Sequence, residues 1–340
     1  MFSLHFNGID ELSGLDVFDD RATLTDWNGE HVLRLQGARP VLVSNQTLDA
    51  PYRLECEVAV EGSAGFAGCV FGASGPEDYQ VVYVYPDSRG KPGWVQYDVA
   101  MNGSMTWQIY HGDRYQSNQV DVKPQSWIRL RVDIYESRAE ITVGDEDSPQ
   151  LVIEPLISGS RGGVGVWGSL PVYVKSMSYQ PIGKKPIDKK PNPVRLPEGL
   201  VTHWEVVPYD GRDPLSEHRQ DWQQATVEEN GILNINRLYP VSTKQVLVRS
   251  TLHFHEETDL MLRFGFSDSL RLWVNEEEIY QGTFLWKPPT EDGRIRCDYA
   301  QVKCKMKPGN NTILGLLSSE EAGFGWGMIL STSRMEDGNK

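Results

Sequence analysis

The chain has 340 residues, enough for two domains of about 150 residues each, and its 39% hydrophobic and 24% charged content excludes a disordered or fibrous chain. Lys and Arg number 33 against 47 Asp and Glu, and the resulting net charge of −14 disfavours phosphate backbones and anionic lipid, so no nucleic-acid or membrane-surface partner is expected. No apolar run approaches the ~18–20 residues of a membrane span. The first residues lack the basic and apolar regions of a secretory signal, so the expected compartment is the cytoplasm, or an extracellular or periplasmic one if a leader is missing.

The 32 Gly, 20 Pro and 34 aromatic residues (10 Trp, 14 Tyr, 10 Phe) point to an all-β protein rich in turns. Short alternating runs begin at residues 31–35 and continue through 51–60, 65–71, 79–85, 94–99 and 105–110. They resume at 127–135, 138–143, 163–167 and 172–177, most of them flanked by Gly, Pro, Asn or Asp. Period-two alternation with turn punctuation at this spacing predicts antiparallel strands in a sandwich. Cys56 and Cys69 fall in successive strands, where a disulfide is geometrically allowed and buried free thiols are the expected state. Neither they nor Cys297 and Cys304 show a C-x-x-C spacing.

Residues 181–200 break the pattern. Pro181, Pro186, Pro191, Pro193 and Pro197 stand among Lys184, Lys185, Lys189, Lys190 and Arg195. Proline at this density sustains neither a helix nor an interior strand, which predicts a stiff extended linker, solvated or docked on an acidic surface. The expected domains are 1–180 and 201–340. Beyond the linker, alternating runs at 231–236, 245–255, 258–266, 269–275, 297–306, 311–317 and 324–330 predict a second sandwich, a jelly roll. The tail 335–340 is expected to fray.

Several segments carry family resemblances. Phe6-Asn7-Gly8, the run 64–72 followed by Asp78 and Tyr79, the Trp127-led strand, and the run 161–167 followed by Tyr173 and Lys175 together resemble the concanavalin-like lectin/glucanase superfamily. Within it they are most similar to laminin-G-like modules and the keto-disaccharide hydrolase-type domain. The resemblance spans most of residues 5–180 and implies a sandwich that hosts binders and hydrolases alike. The hairpin 266–280, the run 307–314 and the ending 323–327 resemble the galactose-binding-domain-like jelly roll, with Glu276 where that family has the Gly of an Asn-Gly turn.

Glu55, Glu57 and Glu61 alternate along one strand face. Glucanases of the first superfamily carry a similar acidic strand, with different acid spacing, so Glu55 and Glu57, with Asp98, are the candidate acid/base groups, although no catalytic residue is assigned and a solvated acidic face is the expected reading of the glutamates. The hairpin 79–99 reads better for binding. Alternation gathers Tyr79, Tyr83 and Tyr85 on one face and Trp94, Gln96 and Asp98 on the facing strand, joined by a loop holding Arg89. Flat amphipathic rings beside amide, carboxylate and guanidinium groups suit a saccharide, so Tyr83, Tyr85, Arg89, Trp94, Gln96 and Asp98 form the expected ligand site, unless these rings are sandwich core. No metal or cofactor is assigned. His253 and His255 lack a third ligand at a recognisable spacing, and Asp145, Glu146 and Asp147, a calcium option, read equally as a polar turn.

The leading expectation is a protein that recognises an oligosaccharide or polysaccharide on the concave face of its N-terminal sandwich. The alternatives are a glycoside hydrolase or 3-keto-glycoside-processing enzyme, and a structural or assembly protein without a sugar ligand.

Overall fold

The computed structural model describes residues 2–7, 12–88, 90–157, 161–183, 185–216, 221–288, 290–321 and 323–334. Among them there is no α-helix. In chain order the first strands are β1 (Phe2–His5), β2 (Leu15–Val17), β3 (Thr23–Trp27), β4 (Glu30–Leu35), β5 (Val41–Val43), β6 (Tyr52–Val60), β7 (Phe66–Ala73), β8 (Tyr79–Tyr85), β9 (Gly93–Met101) and β10 (Ser104–Met105). There follow β11 (Gln116–Val120), β12 (Ile128–Ile134), β13 (Ala139–Val143), β14 (Leu151–Ile153), β15 (Gly163–Ser169), β16 (Val172–Pro181), β17 (His203–Pro208), β18 (Gln223–Thr226) and β19 (Leu233–Asn234). The last are β20 (Gln245–Phe254), β21 (Thr258–Ser267), β22 (Ser269–Val274), β23 (Glu277–Thr283), β24 (Trp286–Lys287), β25 (Glu291–Asp292), β26 (Ala300–Met306), β27 (Gly309–Ser318) and β28 (Gly327–Arg334). The chain divides into unit 1 (residues 1–100 and 111–193) and unit 2 (residues 101–110 and 194–340).

Unit 1 is a sandwich of two antiparallel sheets. Sheet I has the order β14-β13-β12-β6-β16-β4-β3, with β1 also on β16. Sheet II has the order β9-β8-β7-β15-β5-β2, with β11 also on β9. Their inward faces are the apolar half of each alternation: Leu54, Val58, Leu130 and Val132 from sheet I, and Phe71, Val82, Val84, Val95 and Val99 from sheet II, all fully buried. Cys56 and Cys69 meet across this core as free thiols on different sheets. Burial pushes the Cys56 thiol far above its ordinary range.

Residues 182–193, read from the sequence as linker, lie along unit 1. The Ile187 amide donates to Glu140 Oε1 at 2.7 Å, Arg138 Nη2 donates to the Lys189 carbonyl at 2.5 Å, and Arg114 Nη1 donates to the Asn192 carbonyl at 2.8 Å. Proline prevents this segment from joining a sheet ladder, so side chains of unit 1 satisfy its backbone instead. Lys184 lies outside the described residues.

Unit 2 is a second sandwich. Sheet III runs β18-β17-β20-β27-β22-β23 and sheet IV runs β19-β28-β21-β26. Between them lie Trp204, Val246, Val248, Phe264, Phe266, Leu272, Leu317 and Met328. Residues 101–110 correct one expectation. Of the expected run 105–110 only Met105 is strand, and residues 106–110 turn through unit 2. Gln108 is fully buried and accepts from Ser267 Oγ at 2.8 Å, Asn102 Nδ2 donates to the Asn236 carbonyl at 2.8 Å, and Asn230 Nδ2 donates to the Ile109 carbonyl at 2.9 Å. The alternation that reads as a strand here is a row of buried polar groups bonded to loops. The tail 335–340 lies outside the described residues.

The turn from β22 to β23 keeps its tight geometry without glycine. Asn275 and Glu276 both sit at positive φ, 48° and 73°. Thr312 N donates to Asn275 Oδ1 at 3.1 Å, and Asn275 Nδ2 donates to Asn311 Oδ1 at 2.7 Å. These bonds hold a left-handed pair that a Glu adopts at a cost.

Candidate functional site

Unit 1 has two outward sheet faces, and register separates the candidates between them. Val82 pairs with Cys69 and Tyr97, on the parity that faces the core, so Tyr79, Val81, Tyr83 and Tyr85 point the other way. Directly opposite them stand Ala100, Asp98, Gln96 and Trp94. Alternation therefore places the expected ligand residues Tyr83, Tyr85, Trp94, Gln96 and Asp98 on one outward face, that of sheet II.

That face is covered where an open surface was expected. Tyr83, Gln96 and Asp98 are 4%, 1% and 0% exposed. The rings pack on one another: Tyr83 lies 5.2 Å from Trp167, and Tyr85 stacks on Trp94 at 5.0 Å with planes 8° apart. Phe66 leans on both at 5.1 and 6.0 Å. Gly68, opposite Tyr83, supplies the room, because a Cβ there would stand 2.0 Å from the Val82 carbonyl oxygen. The loop through Ala38 closes one end, its carbonyl accepting from Trp167 Nε1 at 2.9 Å and Tyr79 OH at 3.3 Å. Asp98 Oδ1 accepts from the Val99 amide at 2.7 Å. Tyr85 and Trp94 stay half-buried, and Arg89 lies outside the described residues. Alternation reports which face a residue occupies, not what lies over it. Phe66 and Trp167, which complete the cluster, carry no distinguishing signal in sequence beyond their strand positions.

The outward face of sheet I is open. Glu55 and Glu57 alternate on β6, opposite Arg131 and Arg129 of β12 on one side and Ser178 and Ser176 of β16 on the other. Glu55, Glu57, Trp127, Arg129, Ser176 and Ser178 line a cavity of about 500 Å³. Trp127 is the aromatic in its lining, and Trp27 meets that ring edge-on at 5.1 Å and stacks on Tyr173 at 4.4 Å. Lys175 Nζ stands 5.6 Å over the Trp127 ring, 2.9 Å from Glu30 and 3.6 Å from Glu57. Those carboxylates raise the Lys175 pKa, chiefly through the hydrogen bond to Glu30. Arg129 pairs with Asp145 at 2.9 Å.

The structure therefore splits the three carboxylate candidates. Glu55 and Glu57 share one face, whereas Asp98 is on the far side of a sandwich whose sheets alone stand ~10 Å apart. Asp98 cannot share a reacting atom with either.

The metal candidates are placed as follows. Asp145 is in its pair with Arg129, and the Glu146 carbonyl accepts from Arg131 Nη2 at 3.1 Å. His253 Nδ1 bonds Asn310 Oδ1 at 2.9 Å. Among the described residues no group of three His, Cys, Asp or Glu side chains converges as a metal site, and no helix is long and apolar enough to cross a membrane.

No protein-family model matches the chain, and no curated protein matches it. Solved structures similar to it include the carbohydrate-binding module CBM66 of Bacillus subtilis, with 14% identity, 49% of this chain and 95% of that one covered, and a TM-score of 0.37. Sheep galectin-11 is similar at 16% identity over 42% of this chain and 97% of that one, with a TM-score of 0.31. A Bacillus subtilis protein of unknown function with a galectin-like fold is similar at 8% identity over 53% and 94%, with a TM-score of 0.38.

Proposed function

We propose that the chain binds a carbohydrate, and that unit 1 does so in the groove on the outward face of sheet I. The observation that supports this is the open cavity where one indole, four carboxylates (Glu55, Glu57, Asp121 and Asp145) and two serine hydroxyls meet. A sugar ring offers an apolar C–H face and a rim of hydroxyls. Trp127 supplies the stacking surface, Glu55 and Glu57 accept hydrogen bonds from neighbouring hydroxyls, and Ser176, Ser178 and Arg129 donate. The carboxylates disfavour an acidic ligand, so the sugar is neutral. Tyr85 and Trp94 at the half-open rim of sheet II are the remaining contact points of the other face.

A glycan array probed with the intact chain and with Trp127→Ala and Glu55→Gln tests the reading. Binding to a neutral glycan that weakens in both variants, with their melting curves kept, supports it. No neutral glycan retained by the wild-type chain sinks it.

One observation favours a second reading. Glu55 and Glu57 line the same cavity, and alternate residues of a strand stand about 7 Å apart, near the ~6.5–9.5 Å carboxyl separation of inverting glycosidases. A glycoside hydrolase or keto-glycoside-processing enzyme built on this pair releases reducing sugar from the bound glycan, and Glu57→Gln abolishes the release. Binding without turnover by the wild-type chain leaves the binder.

A further inference from the structure

Sheet III of unit 2 has an outward face patterned unlike its core face. Val246, Val248, Leu270, Leu272 and Leu317 point inward, so Gln245, Ser318, Ser269 and Thr283 point outward. Register makes these four direct neighbours across β20, β27, β22 and β23: Gln245 opposite Ser318, Ser318 opposite Ser269, and Ser269 opposite Thr283. At the usual strand spacing the band is about 14 Å wide. The next outward row is Leu247, Leu316, Arg271 and Gln281. A hydrogen-bonding band thus runs beside an apolar step.

Over these rows lies a cavity of about 710 Å³ that includes Tyr209, whose amide bonds the Gln245 carbonyl at 3.0 Å. Beneath it Leu247, Leu316 and Trp273 are buried with Tyr209 and Trp222 packed against them. The polar groups are held in place. Gln245 Nε2 donates to Ser318 Oγ at 2.9 Å, and Ser269 Oγ donates to Glu320 Oε1 at 3.1 Å.

Charge selects the ligand class. Arg271 is the cation lining the cavity, and it is committed: Nη2 donates to Glu278 Oε2 at 2.6 Å, Nε donates to Oε1 at 3.3 Å, and the guanidinium lies 4.7 Å over the Trp273 ring. Glu320 adds an exposed negative charge to the same wall. With Arg271 neutralised in its pair, Glu320 leaves this wall net negative and disfavours an anionic ligand, whereas a neutral polyol finds amide and hydroxyl partners beside Tyr209. From this juxtaposition we infer that the outward face of sheet III is a second carbohydrate site, for a neutral oligosaccharide, lying across β20, β27, β22 and β23 against Tyr209. The inference stands on unit 2 alone and does not require the groove of unit 1.

Affinity electrophoresis of the intact chain through gels containing neutral polysaccharides (glucans, xylan, mannan and fructan) tests it. The variants are Trp127→Ala, which blunts the unit 1 groove, and Gln281→Ala and Tyr209→Ala, separately and combined. The expected result is retardation by at least one polysaccharide that survives Trp127→Ala. The combined variant weakens it at least about tenfold, the effect of losing one net hydrogen bond and a packing surface. Gln281 is exposed on the sheet surface, so its single variant keeps the test independent of folding. Retardation lost in Trp127→Ala and unchanged in Gln281→Ala and the combined variant overturns the second site and leaves the unit 1 reading standing. No retardation by any of these polysaccharides also overturns it.

Discussion

Replacing Asp268 by alanine should unfold unit 2 at markedly lower denaturant. Asp268 is 1% exposed and is the single residue between β21 and β22. Its Oδ2 accepts from the amides of Glu320 and Glu321, both at 2.6 Å, and its Oδ1 accepts from Ser267 Oγ at 2.6 Å. These bonds tie the chain after β27 to the start of β22, and so place Glu320 and Ser269 in the sheet III cavity. Alanine leaves the two amides without their charged acceptor, while Ser267 Oγ keeps Gln108 Oε1 as an acceptor. Each orphaned amide costs roughly 1–3 kcal/mol, and because both are only part-buried the sum falls at about 2–4 kcal/mol. Asparagine separates charge from geometry: with its carbonyl oxygen in the place of Oδ2 it still accepts from both amides, so Asp268→Asn should lose only about 1–2 kcal/mol. Urea unfolding followed by tryptophan fluorescence measures both. A loss under about 1 kcal/mol for Asp268→Ala, or equal losses for the two variants, would refute the argument.

Glu276→Gly should raise the stability of unit 2 by about 0.5–1 kcal/mol in the same assay, since glycine adopts the observed φ of 73° without a side-chain clash. Gly68→Ala should cost unit 1 about 1–3 kcal/mol, because its Cβ meets the Val82 carbonyl and the Tyr83 backbone in thermal unfolding as in geometry. Stability should fall on the alkaline side. Burial raises the pKa of Cys56, Cys297, Cys304, Tyr52 and Tyr79 in the folded chain, so above the unfolded values near 9 for thiols and 10 for phenols the unfolded state releases protons that the folded state keeps. The melting temperature should therefore drop from pH 9 upward, and a flat profile would contradict the burial. Cys304 itself, pushed up to about 11 by burial, should react with iodoacetamide at pH 8 about a hundredfold more slowly than a free thiol, with the rate rising through pH 11.

Much of this architecture is legible in the sequence, for a physical reason. The runs at 52–60, 79–85 and 245–254 alternate because one side of each strand faces a core, and that period survives in a single chain. The same period misreads residues 105–110, where Thr106 and Gln108 are buried as hydrogen-bonding groups rather than exposed as the polar side of a strand. The site is less legible. Tyr83, Gln96 and Asp98 do occupy an outward face, but whether neighbouring rings and the Ala38 loop cover it depends on contacts far apart in sequence. Conversely, Glu55 and Glu57 look like ordinary surface acids until register sets Ser176 and Ser178 beside them, from a strand more than a hundred residues away. The Gln245–Ser318–Ser269–Thr283 band is invisible in sequence for the same reason, since each of its members is one unremarkable polar residue at the end of a strand.

The most direct measurement of the central claim is a calorimetric titration of the neutral glycan selected by the array into the intact chain, the Trp127→Ala variant and the Glu55→Gln variant. The account predicts saturable binding to the wild-type chain and affinity at least about tenfold weaker in each variant, with melting temperatures close to wild type. Equal affinity in all three proteins would contradict it.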